Sequence, residues 1–124
     1  MKVLIADDDM FLRDIATEFL TDAGYTVVAY EDGKKAWEGL QKEGADIAVL
    51  DVNMPEMDGL ELLDLIREDE RFKEMPIILL TGAKYVTLGS AKGRGADDYM
   101  AKPVEYSDLI KHIKMLLAAY GKEE

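Results

Sequence analysis

Four places in this 124-residue chain put residues able to bind charge directly after an apolar run. Asp7-Asp8-Asp9 follow Val3-Leu4-Ile5-Ala6, and Asp51 follows Ile47-Ala48-Val49-Leu50. Thr81-Gly82 follow Ile77-Ile78-Leu79-Leu80, and Lys102-Pro103 follow Tyr99-Met100-Ala101. Carboxylates brought into contact raise each other's pKa unless a cation sits among them. A hard divalent ion supplies that charge, and Mg²⁺ takes one or two carboxylates together with waters and phosphate oxygens. Lys102 adds a second, movable positive charge, and Thr81 a hydroxyl donor. Such a set suits a phosphoryl group, whose transfer depends on positioning and electrostatic stabilisation. The chain has no cysteine, so a carboxylate is the expected nucleophile. Its single histidine, His112, falls late in the last helical segment and reads as a surface helix residue.

The elements that would hold these residues alternate. Strands are expected at Lys2–Ala6, Thr26–Tyr30, Asp46–Leu50, Pro76–Leu80 and Asp97–Ala101. Several are apolar without interruption, the pattern of strands covered on both faces of a parallel sheet. Phe11, Leu12, Ile15, Ala16, Phe19 and Leu20 form one helical stripe, and Leu109, Ile110, Ile113, Leu116, Leu117 and Tyr120 another. Ala36, Trp37 and Leu40 mark a helix between them, and Leu60, Leu62, Leu63 and Ile66 a further one. Right-handed β-α units of this kind build a doubly wound α/β sheet, which binds ligands beyond the carboxyl ends of its strands, at the switch point. With strand order 2-1-3-4-5, the aspartates flank that point and Thr81 and Lys102 approach from the other side.

Taken singly, each of these residues has a plainer reading. An aspartate before a helix is often only a cap, and Asp9 is assigned that role for the first helix. Gly24 suits the C′ position that closes the same helix. Trp37 and the seven methionines read as core or partly buried filling and not as a cofactor box. Only the joint placement at four strand ends speaks for a site. The segment Lys84–Arg94 is the weak one: Gly89 and Gly93, with Gly95 just beyond, predict a short or mobile helix, the part most altered by a phosphoryl group held at Thr81.

The bulk composition narrows the function classes. A chain of 124 residues, 48% hydrophobic and 33% charged, fits one domain over 1–124. Without cysteines there is no disulfide framework or zinc-thiolate site. The apolar start is too short for a signal peptide or membrane span, which points to a cytoplasmic address. A net charge of −11 argues against direct nucleic-acid binding.

In order and spacing these motifs resemble the receiver domains of two-component response regulators, with the flavodoxin-like fold of the chemotaxis receivers. The likeness runs from about Lys2 to Tyr120. It rests on Asp7-Asp8, on Asp51-Val52-Asn53-Met54-Pro55-Glu56-Met57-Asp58-Gly59, on Thr81, on Gly95-Ala96-Asp97-Asp98-Tyr99 and on Lys102-Pro103. The resemblance implies that Asp51 accepts the phosphoryl group. It implies that Asp8, Asp51 and the backbone carbonyl of Asn53 ligate Mg²⁺, with Asp7 holding the ion through water; Mn²⁺ or Ca²⁺ could take its place in crystals. Thr81 and Lys102 would contact the phosphoryl oxygens, Lys102-Pro103 would be a cis peptide, and Thr81 with Tyr99 would form the switch. The implied partners are the phosphohistidine domain of a histidine kinase and an unidentified downstream protein or output domain. Dimerisation through the last helix is left open. The stretch from Thr81 to Tyr99 is about one residue shorter than in the chemotaxis receivers and richer in glycine.

Other readings account for fewer of these features. A haloacid-dehalogenase-type phosphatase shares Asp7-x-Asp9 but needs an acidic pair after its lysine, whereas Asp97-Asp98 precede Lys102. A nucleotide-binding α/β enzyme lacks its Gly-rich loop after the first strand. A degenerate receiver that only binds partners would not need the full acidic set.

Overall fold

The computed structural model describes residues 1–82 and 93–122. Among them, strands β1 (Lys2–Ala6), β2 (Thr26–Tyr30), β3 (Ile47–Asp51), β4 (Ile77–Thr81) and β5 (Asp98–Ala101) alternate with helices α1 (Met10–Asp22), α2 (Gly33–Glu43), α3 (Gly59–Glu68) and α4 (Tyr106–Ala119). The strands form one parallel sheet in the order β2-β1-β3-β4-β5, as expected. The weak segment anticipated at Lys84–Arg94 lies, but for its last two residues, outside the described residues.

β3 and β4 are buried at every position, which is why their sequences are continuously apolar. Alternate side chains serve opposite layers. Leu4, Leu50 and Leu79 pack with Leu40 of α2 and Leu62, Leu63 and Ile66 of α3. Val3, Ile5, Val49 and Ile78 pack with Leu20 of α1 and Leu109 and Ile113 of α4. Trp37 is half-buried and meets Phe72 edge-on, as core filling should.

β3 and β4 sit one residue later than the sequence pattern places them, and β5 begins one residue later. Asp51 pairs with Leu80 in the ladder, and Val52 N–H donates to the Leu80 carbonyl at 2.9 Å. Thr81 pairs with Ala101, and Lys102 N–H donates to the Thr81 carbonyl at 3.0 Å. Asp51 and Thr81 are therefore the last rungs of the sheet and not the first loop residues. Strand pairing fixes their backbones.

The starts of α1, α2 and α3 are set by side-chain capping. Asp9 accepts from the backbone N–H groups of Phe11 and Leu12, the cap role assigned to it. Gly24, at φ +98°, follows the C-cap Ala23. Asp58 accepts from Glu61 N–H at 2.9 Å while its own N–H donates to the Glu61 carboxylate, a capping box that fixes the start of α3 just beyond Asp51. His112 is not a free surface residue: its Nδ1 pairs with the Asp98 carboxylate, so it ties α4 to β5. A charged strand-edge partner outweighs solvent here, which helical periodicity alone does not register.

Glu56, in the turn before α3, holds φ at 65°, a conformation costing a residue with a Cβ about 1–2 kcal/mol. Asparagine tolerates that region better. Glu56→Asn should raise unfolding free energy in urea by about 0.5–1 kcal/mol. A loss of stability would show that the Glu56 side chain makes a contact worth more than the strain.

Candidate functional site

The carboxyl ends of β1, β3, β4 and β5 bring Asp7, Asp51, Thr81 and Lys102 to one edge of the sheet. Three of them are polar groups in the interior: Asp7 is 5% exposed, Asp51 3% and Thr81 1%. Burial of that kind is costly unless partners are supplied. For the two aspartates Lys102 supplies them, its Nζ lying 2.9 Å from Asp51 Oδ2 and 3.1 Å from Asp7 Oδ2. Asp51 Oδ1 also accepts from Asn53 N–H at 3.3 Å, and Asp7 Oδ1 from Asp9 N–H at 3.0 Å.

One carboxylate oxygen from each of Asp7, Asp8 and Asp51 lies within 4.8 Å of the others, so this group could hold a metal ion. Two of the three are buried and Asp8 is exposed. An all-oxygen donor set open to water on one side suits a hard divalent cation that keeps waters and takes phosphate oxygens. Asp9 faces the other way, engaged with α1, so it is a cap and not part of this group.

Burial pushes the Asp51 carboxyl above its ordinary range; Lys102 and the Asn53 N–H pull it back without offsetting the rise, to which Asp7 adds. For Lys102 burial acts downward, but pairing with Asp51 and Asp7 outweighs it and holds the ammonium above its usual range. The lysine stays charged throughout the neutral range. The Asp51 carboxylate takes up its proton, and loses its negative charge, as pH falls through its own raised value.

Tyr99 is half-buried on β5, opposite Leu79, and packs on the core beneath α2 and α3. The Lys102–Pro103 peptide bond is cis. Asn53 stands at the rim with its side chain exposed.

The supporting roles of three residues escaped the sequence reading, although Gly59 closes the motif that begins at Asp51. Arg13 Nη1 donates to the Asp7 carbonyl at 2.8 Å and so braces the acidic turn; its place one turn after the cap Asp9 was the available signal. Gly59 permits a close approach: a Cβ there would stand 2.2 Å from the Asp51 carbonyl oxygen. Arg67 holds the far end of α3 against the start of β5, through contacts that no spacing rule predicts.

A doubly wound sheet with carboxylates at its switch point, a lysine paired with two of them and a threonine at the next strand end has the layout of phospho-accepting signalling domains. Comparison with known proteins places the chain within it. Residues 3–114 match the model of the response regulator receiver domain, and the chain belongs to that family. It is 40% identical to the chemotaxis protein CheY1 of Helicobacter pylori, over 94% of this chain and 97% of that protein. It is 37% identical to the regulatory protein VanRc of Enterococcus gallinarum, over 98% of this chain but only 52% of that protein. The solved structure of CheY4 from Vibrio cholerae is also similar, with a TM-score of 0.86 at 34% identity over 94% of this chain and 98% of that one. The family accounts for the flavodoxin-like fold and for a phospho-accepting role in two-component signalling. Among the described residues no helix is long and apolar enough to cross a membrane.

Proposed function

We propose that this chain is a single receiver domain over 1–124, working in the cytoplasm, that takes a phosphoryl group from a histidine kinase phosphohistidine onto Asp51. The observation that supports it best is the position of the Asp51 carboxylate, ending the central strand with Lys102 at 2.9 Å and two further carboxylates beside it. An Asp51 oxygen attacks phosphorus as the P–N bond to the donor imidazole breaks, its electron pair going to the ring nitrogen. The Lys102 ammonium, already paired with Asp51 and Asp7, moves onto the incoming phosphoryl oxygens, and the Thr81 hydroxyl donates to another. Asp8, Asp51 and the Asn53 carbonyl would hold Mg²⁺ directly and Asp7 through water. When bound, that ion neutralises the clustered carboxylates and the phosphoryl oxygens.

Modification adds about −1.5 to −2 charge at this edge. Thr81 and Lys102 draw toward it, and Tyr99 on the neighbouring strand turns toward the space Thr81 leaves. A downstream protein or output domain reads that change. Met10 and Phe11, exposed at the start of α1 beside the acidic turn, offer apolar area for the donor protein. The chain catalyses only its own phosphorylation and dephosphorylation.

Incubation with acetyl phosphate and Mg²⁺, followed by intact-mass measurement, tests this. One phosphoryl group per chain is expected. Continuous hydrolysis of the donor would mean a phosphatase, and an unchanged mass a binding module. Metal binding is expected to fall about tenfold or more in Asp8→Ala and to persist in Asp9→Ala, as read by calorimetry. The reverse order would move the site onto the Asp7-x-Asp9 pair.

A further inference from the structure

The layer between the sheet and helices α1 and α4 encloses a cavity of about 490 Å³ that borders the aspartate cluster. Leu12 and Ala16 of α1 stand on its wall with Val104, Tyr106 and Leu109, and among the described residues Asp7 and Lys102 are the only charged ones lining it. Its volume is that of a small-molecule site, and its wall is apolar except at the end shared with the phosphoryl site. Tyr106 stacks on Phe19 at 5.2 Å, joining the two helices beside it.

The charge at that end selects the occupant. Asp7, Asp8 and Asp51 bring three carboxylates together. Against them stand Lys102, held between Asp7 and Asp51, and Arg13, held on the Asp7 carbonyl. The balance is negative, in a chain whose net charge is −11. The Tyr106 phenol is pushed upward by burial and then by the negative charge of Asp7, so that field reaches the cavity wall. Without a bound divalent cation an organic anion meets that negative balance unfavourably, and a neutral ligand gains only from apolar burial. A cation on an apolar body gains from both.

We propose that this cavity binds a small organic amine, its apolar body between α1 and α4 and its ammonium on the Asp7–Asp8 carboxylates. Bound there, the amine competes with the divalent cation and lowers phosphoryl acceptance. That consequence rests on the function proposed above, whereas the binding itself does not.

The test uses the full chain and three probes of one shape: 3-phenylpropylamine, 3-phenylpropanol and 3-phenylpropanoate. Calorimetry or NMR titration should show the amine binding at least about tenfold more tightly than the alcohol and the carboxylate. Mg²⁺ should weaken amine binding in proportion to its own occupancy. Ala16→Phe, which fills the cavity, should abolish amine binding and leave Mg²⁺ affinity unchanged. If that variant does not fold, Val104→Phe at the rim serves the same purpose. Equal binding of amine and alcohol, or undiminished amine binding in a folded cavity-filled variant, would overturn the proposal. Amine binding by a chain that accepts no phosphoryl group would uphold it while removing the reading of Asp51 as acceptor.

Discussion

Arg67→Ala is expected to destabilise the protein by about 3–5 kcal/mol, the cost of removing one partner from a largely buried ion pair. The Arg67 guanidinium donates from Nε to the Gly95 carbonyl at 2.7 Å and from Nη1 to the carbonyls of Phe72, Lys73 and Met75 at 3.2, 3.1 and 2.7 Å. Its Nη2 reaches Asp97 Oδ2 at 3.0 Å, with both side chains under one-fifth exposed. Asp97 in turn accepts from Ile77 N–H at 2.8 Å and from the Tyr120 hydroxyl. One side chain thus joins the end of α3, the turn before β4, the approach to β5 and the end of α4. Alanine would leave four carbonyls without this donor and Asp97 without its counter-charge. Lysine, a point charge without the planar fork, should recover only a minor part. Urea unfolding of the three proteins decides it, and a loss below about 1 kcal/mol in Arg67→Ala would show that water replaces the arginine at little cost.

Gly59→Ala should damage stability and site together. A Cβ at position 59 would stand 2.2 Å from the Asp51 carbonyl oxygen, 2.9 Å from the Asp51 carbonyl carbon and 3.0 Å from Val52 Cα. All three are backbone atoms at the strand end that carries Asp51, so no side chain can rotate away. Either α3 lifts, breaking the 2.9 Å bond from Gly59 N–H to the Val52 carbonyl, or Asp51 shifts. Overpacking costs about 1–3 kcal/mol, and a displacement near 1 Å at a reacting group can cost about 10²-fold in rate. The expected result is a lower melting temperature with phosphorylation by acetyl phosphate slowed about 10- to 100-fold. Wild-type rate in a stable variant would show that the contact is slack.

Much of this was legible before any coordinates. The five strands and the two helical layers follow from apolar runs and 3.6-residue stripes, because burial on both faces leaves a direct mark on composition; the order 2-1-3-4-5 came instead with the resemblance to the receiver family. The gathering of Asp7, Asp51, Thr81 and Lys102 follows from their places at strand ends, since the sheet topology brings those ends together. Asp9 could be assigned to capping because its chemistry is local. The sequence was blind where partners are distant and not periodic. Arg67 meets Gly95 and Asp97 across the fold, His112 finds Asp98 on a strand, and Gly59 matters through a backbone approach visible only once α3 is docked. Even the placement of Asp51 and Thr81 as last rungs, and not first loop residues, depended on which strand lay alongside.

The central claim is that Asp51 is the acceptor, and locating the phosphoryl group tests it most directly. The protein is phosphorylated with acetyl phosphate and Mg²⁺, trapped by borohydride reduction of the acyl phosphate, digested and mapped by mass spectrometry, beside the Asp51→Asn variant. The account predicts reduction at Asp51 alone in the wild type and no modification of a folded Asp51→Asn protein. Modification mapped to Asp7 or Asp9, or full phosphorylation of Asp51→Asn, would contradict it.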